Sequence, residues 1–284
     1  MNWPSSNSFK AVRQWIDSEL AASFEEREAG NIGRILMEEV SQQTRAMLLV
    51  NDYKFSESEL NKLNDGIAEL MLGKPLQHVL GKAYFLDFNF IVTKDTLAPR
   101  PETEELVLCA SKEIPANAIV LDIGTGTGCI AISLKALRPD LTVQACDVSP
   151  EALAIAAANA KRNGVEVDFF ESDILTDELT MTYHAIVSNP PYIPISEAAQ
   201  MDERVVKYEP GLALFVEDGH PLKFYKRILD LASKSLTQEG QLFFECHKDF
   251  AHEVQKESLI YFKAARLVKD MQGKNRMVMA SNLH

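Results

Sequence analysis

The stretch "LDIGTGTGCIAISL", Leu121 to Leu134, is an apolar run that breaks at a glycine-rich turn and resumes as a helix-forming segment. Gly124, Gly126 and Gly128 fall between the strand and the helix after it, where missing side chains let backbone approach a ligand and amide groups point at it. A nicotinamide-dinucleotide site uses G-x-G-x-x-G; here the third glycine comes one residue earlier, and Asp122 sits just inside the strand end. Taken alone the loop is weak evidence, because a tight strand-to-helix turn that binds nothing has the same letters.

Downstream, the pattern alternates. "AIVLDIG", "LTVQACD", "VEVDFFESD", "HAIVSNPP" and "GQLFFEC" are short apolar runs separated by helix-length segments, which predicts a parallel sheet with helices on both faces. The final "IYFKAARLVKDMQGKNRMVMAS" holds two β-prone stretches around Gly273 and Lys274, an antiparallel pair that closes the sheet. Asp147 ends the second run and is followed by Ser149, a good N-cap, and Pro150, suited to the first helical position. A carboxylate there can accept from both hydroxyls of a ribose or serve as ordinary surface capping. Asp173 ends the third run and can accept from an adenine amine. Open α/β sheets bind ligands at this carboxyl edge, so successive strand ends with suitable residues mean more together than singly.

"SNPPYIP" ends the fourth run on the same edge. Pro190 and Pro191 have no amide hydrogen and a restricted φ, so the carbonyls of this corner stay free to accept. A planar nitrogen with two hydrogens can donate one to the Asn189 side-chain oxygen and one to the Pro190 carbonyl, with Tyr192 over its face. That suits a conjugated nitrogen, an amide or an exocyclic base amine, whose lone pair must be fixed toward an electrophile by positioning and electrostatics. A sulfonium methyl delivered from the neighbouring cleft fits that need.

Upstream, Phe9, Val12, Trp15 and Ile16, and then Ile32, Ile35, Leu36 and Val40, recur at helical spacing. Ser41–Val50 and Ser56–Leu72 read as further helices, the second opened by a Ser56/Glu59 capping box. "KAYFLDFNFIVT" reads as a β-hairpin with Asp87 in its turn. The expected organisation is a helical domain over 1–73, a hairpin linker over 74–97 and a ligand-binding α/β domain over 98–284.

Lys and Arg number 29 against 41 Asp and Glu, a net charge of -12, which repels phosphate backbones unless basic residues cluster, and no cluster is evident. Cys109, Cys129, Cys146 and Cys246 form no C-x-x-C pair and read as reduced core thiols. His247 beside Cys246 lacks further ligands and reads as incidental, so no metal is expected. Met1–Lys10 is polar and no run of about eighteen apolar residues occurs, so a cytoplasmic protein without a membrane span is expected.

With both motifs in view, the chain resembles the class I S-adenosylmethionine-dependent methyltransferases, and within them the release factor glutamine methyltransferases of the HemK type. "PLQHVLGKAYFLDFNF", "LAPRPETEELV", "LDIGTGTGCIAISL", "SNPPYIP", "YEPGLAL" and "KDMQGKNRMV" stand in family order over nearly the whole chain. The resemblance implies a doubly wound, seven-stranded, mostly parallel sheet behind a helical domain that recognises the substrate. It implies transfer of a methyl group from S-adenosylmethionine to the side-chain amide of the glutamine in the Gly-Gly-Gln loop of peptide chain release factors, by a monomer. By position, Gly124, Thr125, Gly126, Thr127, Gly128, Asp147 and Asn189 would hold the cofactor, with Asp173 or Ile174 at the adenine. Asn189, Pro190, Pro191 and Tyr192 would hold the glutamine, with Asn189, Pro190 and Tyr192 catalytic. Arg100, Glu102, Thr103 and Glu104, in "PRPETE", would lie beside cofactor and target; a purely capping role for the acidic residues competes. Ala98 stands where the family usually has isoleucine, His220-Pro221 replaces an expected leucine, and "ECHKDF" lacks a usual glycine. Two rivals remain: adenine methylation in DNA, which uses the same Asn-Pro-Pro-Tyr chemistry but needs a phosphate-binding surface, and a non-catalytic cofactor-binding protein.

Overall fold

A computed structural model describes residues 3–201 and 203–284, and the chain divides into two compact units, Met1–Gly81 and Lys82–His284.

The first unit is helical: α1 (Phe9–Leu20), α2 (Glu26–Ser41), α3 (Arg45–Val50), α4 (Glu57–Met71) and α5 (Leu76–Leu80). Residues at three-to-four spacing turn inward, so Val12, Ile16, Leu36, Leu63 and Ile67 meet in one core. Each fully buried aliphatic side chain there contributes ~1.5–3 kcal/mol, enough for short helices to persist. The Ser56/Glu59 capping box forms as the spacing predicts. The segment 74–97 is not one linker. Pro75 opens a helical turn that ends at Gly81 with φ 63°, and α5 belongs to the first unit.

The second unit begins with a hairpin of β1 (Lys82–Phe85) and β2 (Phe88–Ile91), whose turn places Leu86 at φ 51°. There follow α6 (Pro101–Glu113), β3 (Ile119–Ile123), α7 (Cys129–Leu137), β4 (Thr142–Asp147), α8 (Pro150–Asn163), β5 (Asp168–Glu171) and β6 (Tyr183–Ser188). A short β7 (Ile193–Pro194), α9 (Glu203–Tyr208), α10 (Gly211–Leu214) and β8 (Phe215–Val216) form an excursion before α11 (Lys223–Ser235), β9 (Leu236–Glu245), α12 (Ala251–Ser258), β10 (Phe262–Lys269) and β11 (Asn275–Leu283).

Seven strands make one sheet in the order β10-β11-β9-β6-β3-β4-β5. Parallel ladders join β9, β6, β3, β4 and β5, and β11 runs antiparallel to both β9 and β10, so β10 points the same way as those five and forms with β11 the expected closing pair. Alternation along the strands sends Val120, Val187 and Phe243 to one face, under α6 and α7, and Leu121, Ile186 and Phe244 to the other, under α11 and α12. Burial on both faces explains why these strands read as continuous apolar runs. Among the described residues no helix is long and apolar enough to cross a membrane. The four cysteines are free, and burial pushes the thiols of Cys129 and Cys146 up to about 12, so both stay protonated.

Candidate active site

The chain leaves β3 for β4 on one side and later enters β6 on the other, so the strand order reverses at the carboxyl end of β3. Register fixes what meets there. Ile123 pairs with Cys146 and with Ser188, Cys146 with Phe170, and Ser188 with Phe244. The residues that follow therefore leave the sheet at one level, and a cleft of about 250 Å³ opens above them. Ile123, Gly124, Gly126, Asp147, Asp173, Ile174, Asn189, Pro190 and Pro191 all line it.

The glycine loop supplies bare surface rather than amide donors. The Gly124 and Thr125 amides donate to the Cys146 carbonyl at 2.9 and 3.0 Å, and the Gly128 amide donates to the Thr125 carbonyl at 2.8 Å. The Gly126 amide donates to Asp147 Oδ2 at 2.9 Å. Sequence reasoning aimed these groups at a ligand, but the neighbouring strand end satisfies those of Gly124, Thr125 and Gly126, and the loop itself that of Gly128. What the loop does offer is space: Gly124 and Gly126 have φ of 74° and 54°, and a Cβ on either would meet nothing within 4 Å. Gly128 differs, since a Cβ there would lie 2.8 Å from Ile132 Cδ1 and 3.1 Å from Ala156 Cβ, so its role is packing of α7 against α8. Thr125 and Thr127 are buried and do not line the cleft. The Thr125 hydroxyl donates to Asp122 Oδ2 at 2.6 Å, beneath the loop.

Asp147 is held by the Gly126 amide on one oxygen and the Ser149 amide on the other, at 2.9 and 3.0 Å. Each oxygen keeps a lone pair, a pattern suited to two vicinal hydroxyls. Ser149 caps α8 as predicted, accepting from the Ala152 amide. The Asp173–Ile174 turn is secured by Arg227 from α11, whose Nε donates to the Ile174 carbonyl at 2.7 Å. Nothing in local sequence marked Arg227, because its partner lies 53 residues away.

A second pocket, of about 220 Å³, lies against the first. It is lined by Arg100, Tyr192, Ile193 and Leu214 together with Leu97, Asn189 and Ala213, the last three shared with the larger cleft. Asn189 thus stands where the two meet. Its Nδ2 donates to Thr103 Oγ1 at 3.3 Å, and Thr103 in turn donates to Glu245 Oε2 at 2.6 Å. Burial pushes the Tyr192 hydroxyl above its ordinary range, so it stays protonated. His247 packs against the rings of Tyr192 and Phe250 at 5.8 and 5.3 Å, which gives the Cys246-His247 pair a packing role. Burial depresses the His247 pKa, and no group of three metal-capable side chains occurs among the described residues.

The "PRPETE" residues separate. Arg100 reaches Glu209, and Thr103 reaches Glu245. Glu104 points elsewhere: its Oε1 accepts from the Leu86 amide at 2.7 Å, holding the hairpin turn against α6, so the structure does not bring it to either pocket. Pro101 is the first residue of α6, with Glu102 and Glu104 in its first turn, so the helix-terminus role is present as well. Glu102 lines neither pocket. Sequence reasoning passed over Glu209 and Glu245 as site residues, although both lie in motif segments, because a buried carboxylate is recognisable only from what surrounds it.

An S-adenosylmethionine molecule fits these features. The open faces of Gly124 and Gly126 can receive an extended chain, Asp147 a ribose, and Asp173 with Ile174 an adenine, while acidic surroundings suit a sulfonium cation.

Family models agree with this division of the chain. One described as the PrmC N-terminal domain matches residues 11–81, and one described as the methyltransferase small domain matches residues 103–208. The chain is 41% identical over 277 residues to the release factor glutamine methyltransferase of Flavobacterium psychrophilum, covering 95% of this chain and 97% of that one. It is 40% identical over 233 residues to the enzyme of the same name from Bacteroides thetaiotaomicron, covering 81% and 84%. Among solved structures, a methyltransferase from Pyrococcus furiosus superposes with a TM-score of 0.52 over 76% of this chain and 96% of that one, at 15% identity, a likeness of fold alone.

Proposed function

Since the chain belongs to the family of release factor glutamine methyltransferases, we propose that it methylates the side-chain amide nitrogen of the glutamine in the Gly-Gly-Gln loop of peptide chain release factors, with S-adenosylmethionine as methyl donor. The observation that carries this reading is the position of Asn189, at the junction of a cleft suited to the cofactor and a smaller pocket suited to an amide side chain. Because Asn189 Nδ2 is tied back to Thr103, its Oδ1 is the end of the amide left for a guest.

When bound, S-adenosylmethionine supplies an electrophilic methyl group on a sulfonium. Gly124 and Gly126 would leave room for it, Asp147 would accept from its ribose, and Asp173 and Ile174 would border its adenine. Asn189 Oδ1 and the Pro190 carbonyl accept one hydrogen each from the glutamine NH2, which fixes its plane and turns the nitrogen lone pair toward the cofactor cleft. Tyr192, Pro191 and Arg100 border the amide. Positioning of this kind can supply several kcal/mol of the barrier without a strong base. The helical unit is assigned to docking of the protein substrate, in a monomeric enzyme.

The test is incubation of the full chain with methyl-labelled S-adenosylmethionine and, separately, an intact release factor, the factor with that glutamine substituted, and duplex DNA. Label on the intact factor alone is expected. Label on DNA, or on the substituted factor, sinks the reading.

A further inference from the structure

Asn189 can serve as an acceptor only if its amide is turned the right way, and the two ends of a carboxamide are nearly equal in shape. Something must distinguish them. Three elements converge on this one side chain: the end of β6, the first turn of α6, and the end of β9, where Ser188 and Phe244 are register partners and Glu245 follows. Glu245 and Thr103 are each 2% exposed. A carboxylate is costly to bury, and among the described residues Thr103 is the side chain that donates to it.

We propose that Thr103 and Glu245 are positioning residues, which hold the Asn189 amide in the orientation that presents Oδ1 to the substrate amide. This rests on the reading of Asn189 given above. The reason is the one-way nature of the contacts. An ionised carboxylate can only accept, so it takes the single Thr103 hydroxyl proton; the Thr103 oxygen is then an acceptor, and Asn189 must offer it Nδ2. Reversing the Asn189 amide would set two acceptors against each other. The chain runs 142 residues from Thr103 to Glu245 and 86 from Thr103 to Asn189, so only the assembled sheet creates it.

The arrangement has a pH signature. A protonated Glu245 donates to the Thr103 oxygen, which releases the hydroxyl proton toward Asn189 and favours the reversed amide, with NH2 facing the guest. Burial pushes Glu245 up to about 7 against the hydrogen bond from Thr103, with Glu102 adding to the shift while Arg276 and Arg100 oppose it. Of the other groups around it, Tyr192, Tyr225, Cys129 and Cys246 are all pushed upward and stay neutral. Turnover therefore falls as pH drops through neutrality. Asp122 and His247 also titrate near or below that range, so the limb is assigned by its loss on substitution of Glu245.

The experiment compares Thr103→Val, Thr103→Ser, Glu245→Gln and Asn189→Ala with the parent chain. Turnover on an intact release factor is measured from about pH 6 to 9, cofactor binding by calorimetry and folding by thermal melting. Thr103→Val is expected to lower kcat roughly 10- to 100-fold, as befits loss of an orienting hydrogen bond, with KM and cofactor affinity held within about twofold. Thr103→Ser restores most of kcat, and Glu245→Gln, nearly isosteric, removes the acid limb. Three results overturn the proposal: Thr103→Val turning over like the parent, Thr103→Ser as damaged as Thr103→Val, or an acid limb that survives in Glu245→Gln. A parent chain that labels no factor, or an active Asn189→Ala, instead overturns the reading of Asn189 underneath, and this proposal with it.

Discussion

Arg100 Nη2 and Glu209 Oε2 meet at 2.5 Å across 109 residues of chain, joining the N-cap of α6 to the residue before Pro210. The pair is lopsided, since the Glu209 side chain is 1% exposed and that of Arg100 35%. Removing the arginine takes a cationic partner from a carboxylate buried away from water, whereas removing the glutamate frees a cation that water already reaches. Arg100→Ala is therefore expected to lower the melting temperature more than Glu209→Ala. Equal shifts, or the reverse order, would show that the pair does not bear on stability in this way.

Gly126 and Gly128 are two residues apart and face opposite demands. Gly128→Ala adds a Cβ against Ile132 and Ala156 at φ 81°, and overpacking with backbone strain costs roughly 2–4 kcal/mol. Gly126→Ala points its methyl into open space beside the cleft, so its stability cost is only the ~1 kcal/mol of a left-handed residue. Calorimetry should find cofactor affinity weakened about tenfold or more in Gly126→Ala, with the larger fall in melting temperature in Gly128→Ala. The opposite pairing of effects refutes the assignment.

Asn189→Ala removes the side-chain acceptor and leaves the Pro190 carbonyl in place. A loss of roughly two to four powers of ten in kcat is expected, with cofactor affinity little changed. Should cofactor binding fall in parallel with turnover, Asn189 belongs to the cofactor rather than to the amide.

Asp122 is fully buried, and that burial pushes its carboxyl up to about 7 against the hydrogen bonds from Thr125 and Ala131. In the unfolded chain the same group titrates near the usual carboxylate value of about 4. Between those two values the folded protein keeps a proton that the unfolded chain has released. Its stabilising contribution is complete below about pH 4 and is lost as pH rises to about 7. Glu245 contributes a slope of the same sign. In Asp122→Asn, denaturant midpoints should decline less steeply from pH 5 to pH 7 than in the parent chain, by a difference on the order of a few kcal/mol across the window. Parallel curves would show that Asp122 is not protonated in the fold.

The helical unit has its own core, and the α/β unit has both of its sheet faces covered by its own helices. Removal of residues 1–81 should leave cofactor binding intact and abolish methylation of a folded release factor. Undiminished transfer by the shortened chain would reduce the helical unit to a stabilising role.

Much of this molecule is legible locally. Three-to-four spacing named the helices of the first unit, the five short apolar runs announced a parallel sheet, and the glycine loop with "SNPPYIP" pointed to a candidate site at its carboxyl edge. These features depend on residues a few positions apart, where backbone geometry acts directly. The segment 74–97 was misjudged because five residues of helix, Leu76–Leu80, are too short for periodicity to register. Partners across the sheet belong to another order of information. Whether a loop amide meets a ligand or the Cys146 carbonyl, whether Glu104 faces the site or the Leu86 amide, and which carboxylate orients Asn189 all follow from strand order and register. A hydrogen bond is decided by what lies within about 3 Å, and for these groups the chain brings that neighbour from elsewhere.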